Sequence, residues 1–421
     1  MANAELEKII SKIATDAREA SLLIQNQPKE AINKALLTMA GYLESQKTQL
    51  QAENEKDLEA GRAKGLSSAM LDRLTLSDKT IASMANGLKE VAALDSPVGS
   101  VYDERVRPNG LKICKMRVPI GVIGIIYEAR PNVTVDAAAI CLKSRNAVIL
   151  RGGSEAFHSN IALCTLFSRA LAEAGLPAAA LQFIPTTDRA AVELLLCQDQ
   201  QIDLIIPRGG EGLIRMVVEK SRIPVIKHYT GIFHVFVSAN ADMQKAVPIV
   251  INAKVQRPGV CNAMETLLLD SGLDLQKRKD IVAALADKGV TLFGDAASRE
   301  LRADMQEADE DSWGEEYLDL RLAVATVNGL DGAVAHINKY GSRHTDSIVT
   351  ELPEEADAFI ARVDSASVMV NASTRFSDGG EYGMGCEIGI STDKLHSRGP
   401  MGIGDLTTYK CVVRGDGQVR G

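Results

Sequence analysis

Five short segments combine residue types that chemistry needs. The first spans residues 255–263, Val-Gln-Arg-Pro-Gly-Val-Cys-Asn-Ala. A helix-forming run with apolar Val247, Val250, Ile251 and Val255 meets Pro258-Gly259, which cannot continue it, and Cys261 falls on the turn before an apolar strand at 265–269. A thiol on a sharp turn, beside backbone N–H groups, can be held as thiolate and attack a carbonyl, and the same N–H groups can take the resulting oxyanion. Read alone, Cys261 is either that nucleophile or one more buried small hydrophobe, and no histidine lies nearby in sequence as its base. Two glycine turns follow apolar strands: Arg151-Gly152-Gly153-Ser154-Glu155 and Pro207-Arg208-Gly209-Gly210-Glu211-Gly212. Their glycines permit close backbone approach, Arg151 can pair with a phosphate, and the second turn opens a helix, whose N-terminus attracts anions. Neither is Gly-x-Gly-x-x-Gly, so each is either a phosphate cradle or a tight structural turn; two in one sheet favour a dinucleotide. The fourth segment, residues 379–386, reads as a structural crossing loop, and the fifth, Tyr340-Gly341-Ser342-Arg343-His344-Thr345, as a solvated turn with an anion site as the alternative.

These segments need a frame to position them. Residues 4–94 show helical spacing, for example Leu6, Ile9, Ile10 and Ile13, then Ala31, Ala35, Leu36, Met39 and Leu43. A strand pair at 101–107 and 111–118 is joined by Pro108-Asn109-Gly110, a hairpin signal, and its mixed faces predict an exposed ribbon. From residue 121 strands and helices alternate, with strands at 121–127, 147–150, 181–184, 204–206 and 225–226. A second alternating set runs from 233 to 370, with an acidic, loop-like stretch at 304–319, and a last strand closes the pattern near 405–413. Such alternation predicts parallel, doubly wound sheets.

The composition is ordinary for a soluble globular protein. The chain has 421 residues, 46% hydrophobic and 24% charged, with a net charge of -8, which argues against nucleic acid or an anionic membrane as its partner. The N-terminal residues lack a signal-peptide core, and the longest apolar stretch, 118–126, is too short to span a bilayer, so a cytoplasmic protein is expected. Seven scattered cysteines without a Cys-x-x-Cys pair suit reduced thiols rather than a disulfide framework or a zinc site, and no metal is expected.

Taken together, residues 119–134, 151–155, 256–261, 341–345, 370–376 and Arg398-Gly399-Pro400-Met401 resemble the aldehyde dehydrogenase superfamily over nearly the whole chain, and within it the branch that reduces an acyl phosphate. The resemblance implies an α/β fold, aldehyde dehydrogenase-like, with two doubly wound parallel-sheet domains plus a β-ribbon oligomerisation element. It implies an NADP-binding domain at 1–100 and 119–231, a catalytic domain at 232–400, and a ribbon at 101–118 and 401–421. The implied reaction is the NADPH-dependent reduction of L-glutamate 5-phosphate to L-glutamate 5-semialdehyde and phosphate in L-proline biosynthesis, through a cysteine thioester. Cys261 takes the nucleophile position and Asn132 is the candidate oxyanion donor. Ile126, Arg151, Ser154, Glu155, Arg208, Gly209, Gly210 and Glu316 fall at NADPH positions, Glu316 against the nicotinamide ribose. Arg130, Arg343, His344, Asn371, Ser373 and Arg375 are the implied substrate contacts. A homo-oligomer, dimer or tetramer, and a transient contact with the glutamate 5-kinase that makes the labile substrate are also implied. One departure is informative: the segment that carries a water-activating glutamate in hydrolytic members reads Lys227-His228-Tyr229-Thr230-Gly231 here. That favours a thioester that is reduced rather than hydrolysed.

Overall fold

A computed structural model describes residues 2–385 and 387–420, so Cys386, at the end of the glycine-rich loop, lies outside the described residues. The chain divides into two compact units, Met1–Lys227 with Met384–Gly389 and Met401–Gly421, and His228–Gly383 with Ile390–Pro400.

The first unit holds a four-stranded parallel sheet in the order Leu181–Phe183, Ala147–Arg151, Val122–Tyr127, Leu204–Arg208. The strand Val122–Tyr127 is buried along its whole length, as a strand covered on both faces must be. The chain steps outward from it to one side and then jumps to the other for Leu204–Arg208, which creates a switch point at the carboxyl ends of the strands. Helices Pro131–Lys143 and Phe157–Glu173 make the crossovers, and the N-terminal helices Ala2–Ile24, Lys29–Ser45 and Asp78–Ala93 bury Ile10, Leu36, Met39, Leu43 and Leu88 in the same core. Val225 makes an isolated bridge to Ile205 rather than the strand expected at 225–226.

The same unit carries a three-stranded antiparallel ribbon, Val101–Val106, Lys112–Pro119 and Thr407–Arg414, with the middle strand paired to both others. Its hairpin turns at Gly110, whose φ of +86° suits a residue without a side chain. Every residue of Val101–Val106 is exposed.

The second unit is built on a seven-stranded sheet, parallel throughout: Gln306–Glu307, Thr291–Gly294, Arg321–Val327, Thr266–Asp270, His234–Val237, Thr345–Val349 and Ser367–Val370. Strand alternation divides its core. Val235, Val237, Leu267, Leu269 and Val324 join one cluster, whereas Phe236, Leu268, Ala323 and Ile348 join another. Helices Gly329–Tyr340 and Pro353–Arg362 cover the second face, with Ile337 and Phe359 buried there. No described helix is long and apolar enough to cross a membrane.

Candidate active site

In the first unit, a cleft of about 700 Å³ opens at the carboxyl ends of the strands. That volume lies within the range of small-molecule and cofactor sites, roughly 300–1,000 Å³. Ile126, Arg130, Arg151, Ser154 and Glu155 all line it, so five expected residues come together, and Arg130, expected at the substrate, stands with residues expected at the cofactor. The glycine pair explains how the backbone comes so close. A Cβ on Gly152 would lie 2.2 Å from Asn160 Nδ2, and one on Gly153 would lie 3.0 Å from the Ala129 amide nitrogen.

Arg151 is buried, and its guanidinium donates to the carbonyls of Gly152 (2.8 Å) and Thr187 (3.2 Å). Burial lowers its pKa, with Glu155 opposing that effect. Its fork is thus partly spent on holding the turn. Arg73 and Arg189 line the same cleft and add cationic charge that the sequence reading missed. The second glycine turn is placed differently. Of it, Gly212 reaches the cleft wall, whereas Gly210 N–H donates to Glu128 Oε1 at 2.7 Å and a Cβ on Gly209 would touch the Glu128 carboxylate at 2.7 Å. The start of the helix Glu211–Lys220 therefore already faces an internal anion. Asn132, in the first turn of Pro131–Lys143, donates to Asp136 Oδ2 at 3.2 Å, and burial pushes Asp136 up to about 6 against the pull of Asn132 and Arg208.

In the second unit the helix Met243–Val255 ends ahead of Pro258-Gly259, and the half-buried Cys261 lies on the turn that leads into Thr266–Asp270. Gly231 packs directly on that turn. A Cβ there would lie 2.5 Å from the Cys261 carbonyl oxygen and 2.8 Å from Glu316 Oε1. Burial raises the Glu316 carboxyl above its ordinary value, and the Gly231 N–H it accepts opposes this. Cys261 and Glu316, 55 residues apart in the numbering, thus meet at one glycine. Arg375 joins them. Burial and Arg257 lower its pKa, while Asp378 and Cys261 act the other way, and its Nε donates to Gln256 Oε1 at 2.7 Å.

The remaining expected residues divide. Asn262, beside the nucleophile, donates to the Ser377 carbonyl at 2.9 Å, Thr345 Oγ1 donates to Ser377 Oγ at 2.8 Å, and His344 Nδ1 lies 2.8 Å from Thr345 Oγ1. His344 is thereby linked to the Cys261 turn. Burial, with His228 beside it, pulls its pKa down to about 3, so it is a neutral imidazole. Ser373 is buried and its Oγ accepts the Arg375 N–H at 3.3 Å. Arg343 is exposed, with a φ of +61°. Asn371 is not brought to Cys261. It follows the carboxyl end of Ser367–Val370, and its amide pairs with the backbone of Thr350 through bonds of 3.0 and 2.8 Å.

The profile of the aldehyde dehydrogenase family matches residues 2–298. The chain belongs to the aldehyde dehydrogenase family, a family of oxidoreductases. Among its relatives, the gamma-glutamyl phosphate reductase of Geobacter metallireducens is 56% identical over 411 residues, covering 98% of each chain. That of Geotalea daltonii is 55% identical with the same coverage. The crystal structure of gamma-glutamyl phosphate reductase from Thermotoga maritima superposes with a TM-score of 0.95 at 44% identity, over 98% of this chain and 100% of that one. An acetylating aldehyde dehydrogenase from Geobacillus thermoglucosidasius, at 17% identity and a TM-score of 0.71, shares the fold.

Proposed function

We propose that the chain reduces L-glutamate 5-phosphate with NADPH to L-glutamate 5-semialdehyde and inorganic phosphate, the reductive step of L-proline biosynthesis. The relatives' names supply the substrate. The observation that carries the chemistry is the meeting of Cys261, Gly231 and Glu316, with Arg375 close enough to feel the charge of Cys261 and no glutamate in the stretch 227–231 to activate water.

In this reading Cys261 Sγ attacks the acyl carbon, the bond from that carbon to the phosphate oxygen breaks, and phosphate leaves with the bonding pair. A thioester on Cys261 results. NADPH, when bound, supplies the hydride that this thioester needs. The tetrahedral alkoxide then expels Sγ as thiolate, releasing the aldehyde and restoring the enzyme. Backbone N–H groups of the Cys261 turn, with Asn132 as the side-chain candidate, stabilise the oxyanions. Ile126, Ser154, Glu155 and Arg151 would hold NADPH in the cleft, with Arg73 and Arg189 adding charge for its extra phosphate and Glu316 on the nicotinamide ribose. Arg208, Gly209 and Gly210 support that cleft through Glu128. Arg130, Arg343 and Arg375 supply cations for the substrate's phosphate and carboxylate, and Ser373 and the neutral His344 shape their surroundings. The exposed ribbon would pair with a second copy of the chain. A cytoplasmic setting beside glutamate 5-kinase suits the labile substrate.

The test runs the reaction backwards with L-glutamate 5-semialdehyde, NADP+ and varied phosphate, following cofactor absorbance. Cofactor reduction that depends on phosphate is expected. Reduction that proceeds equally without phosphate refutes acyl-phosphate chemistry.

A further inference from the structure

The loop that carries Cys261 is closed at its base by two buried charges that the reaction does not use. Lys254, in the last turn of Met243–Val255, and Glu265, four residues past Cys261, are 0% and 1% exposed. Lys254 Nζ donates to Glu265 Oε2 at 2.6 Å, and Met264 N–H bonds the Ala253 carbonyl at 2.8 Å alongside. The other carboxylate oxygen, Glu265 Oε1, accepts the N–H of Leu318 at 3.4 Å, two residues beyond Glu316. Leu318 has a φ of +52°, an unfavourable conformation for leucine that the neighbouring contacts must hold. Glu316 in turn accepts the N–H of Gly231, which lies against the Cys261 carbonyl. The circuit Lys254, Glu265, Leu318, Glu316, Gly231, Cys261 is closed.

A buried ion pair is a poor way to gain stability, because the cost of removing both charges from water roughly cancels their attraction. Here burial pushes Glu265 up to about 7 and pulls Lys254 down, each opposed by the partner's charge. Two apolar side chains would fill the same space at less cost. The groups facing the pair are few: Lys254 Nζ stands 5.9 Å from the Tyr317 ring, Arg321 stacks on that ring at 4.7 Å, and Glu316 and Asp319 add negative charge.

We infer that Lys254 and Glu265 are positioning residues: one carboxylate, anchored by the ammonium, ties the nucleophile loop to the segment that carries Glu316 and so sets the two against each other. This rests on the roles given above to Cys261 and Glu316. The experiment measures Cys261 carbamidomethylation by iodoacetamide, kcat, KM for NADPH and thermal stability in the wild type, in Glu265→Gln, and in the double variant Lys254→Met/Glu265→Leu. Removing only the Glu265 charge leaves a buried ammonium unpaired, so that single variant should lose stability, and the double variant should regain it. The inference expects the double variant to fold with near-normal stability yet keep an altered carbamidomethylation rate and a kcat reduced on the order of tenfold or more, as misplaced reacting groups do. A stable double variant with wild-type labelling and kcat would overturn it, reducing the pair to a structural element. If the double variant does not fold, Glu265→Asp, which keeps the charge but withdraws the carboxylate by one methylene, should show the same altered labelling, and wild-type labelling there overturns the inference. Labelling that is unchanged in Cys261→Ser would instead show that the nucleophile itself is misassigned, and the inference would fall with that reading.

Discussion

Replacing Gly231 by alanine tests the site at its tightest point. The backbone there lies outside the left-handed region, so alanine meets no conformational penalty and any effect must come from space. The new methyl would sit 2.5 Å from the Cys261 carbonyl oxygen, a main-chain atom that cannot swing aside, and 2.8 Å from Glu316 Oε1. Reaching the shortest separation real Cβ atoms show, 3.0 Å, takes a movement of about half an ångström in the loop bearing the nucleophile. Overpacking of this kind costs about 1–3 kcal/mol. If the loop rather than the fold absorbs it, that energy corresponds to a fall in kcat/KM of about 5- to 150-fold. The assay is steady-state reduction of the acyl phosphate, with iodoacetamide labelling of Cys261 as a measure independent of substrate. Glu316 should also be displaced, so KM for NADPH is expected to rise. A Gly231→Ala enzyme with wild-type kcat/KM and labelling would refute the placement of Cys261 and Glu316 on either side of this glycine.

Other outcomes follow from individual residues. Cys261→Ala should abolish turnover while leaving NADPH binding, followed by cofactor fluorescence, unchanged; turnover within a few-fold of wild type would sink the thioester. Gly41→Ala, exposed in the helix Lys29–Ser45 with nothing within 4 Å of the added carbon, should raise stability to urea by about 0.4–1 kcal/mol. Gly152→Ala should weaken NADPH binding, because its Cβ would meet the buried Asn160 amide at 2.2 Å and the Tyr127 ring at 3.1 Å; unchanged cofactor affinity would argue against the cleft. Burial holds His336 and His344 at about 3, below the usual 6.5, so between those values the unfolded chain binds two protons that the folded chain does not. Stability should therefore be complete above about pH 6.5 and drain as the pH falls toward 3, each histidine contributing up to about 1.4 kcal/mol per pH unit. Urea titrations from pH 7 to 4.5 should show a shallower acid loss in His336→Phe than in the wild type.

Much of the frame was legible because its signals are local. The run Val122–Tyr127 could only be a strand buried on both faces, and Pro258-Gly259 had to end a helix just before Cys261. Helices Gly329–Tyr340 and Pro353–Arg362 were overlooked although Ala333, Val334 and Ile337 carry helical spacing and Pro353 with two glutamates marks a helix start. Glu316 had no periodic pattern to announce it, since it follows the short turn Asp311–Trp313 in an irregular stretch; only the family resemblance pointed to it. Arg151 shows the opposite error of emphasis. Its type suggests phosphate, but two backbone carbonyls occupy part of its guanidinium, and the cations missed beside it, Arg73 and Arg189, have nothing in their local sequence to mark them. Asn371, which only the family resemblance implied as a substrate contact, has its amide paired with the backbone of Thr350.

The two units also use their sheets differently, which explains why one site was easier to foresee. In the first unit the cleft lies at the carboxyl ends of the strands, as is usual for parallel sheets, so the strand Ala147–Arg151 with the glycine turn after it pointed to it. In the second unit Gly231, Cys261, Glu316 and His344 all stand ahead of strands, namely His234–Val237, Thr266–Asp270, Arg321–Val327 and Thr345–Val349. Those four strands are neighbours in the sheet, and neighbouring strands lie about 4.7–4.9 Å apart, so their amino-terminal loops are forced together however far apart they are in sequence. The loops are pinned where they enter: Glu265 and Thr266 N–H both bond the Phe233 carbonyl at 3.0 Å, Ala323 N–H bonds the Glu265 carbonyl at 3.1 Å, and Ile232 N–H bonds Ser342 Oγ at 3.0 Å. A site assembled this way gets its precision from the sheet edge rather than from the loops themselves. The residues that matter most for its geometry are therefore the ones at the entries, Gly231 and Glu265, and neither has a chemistry that a sequence motif would single out.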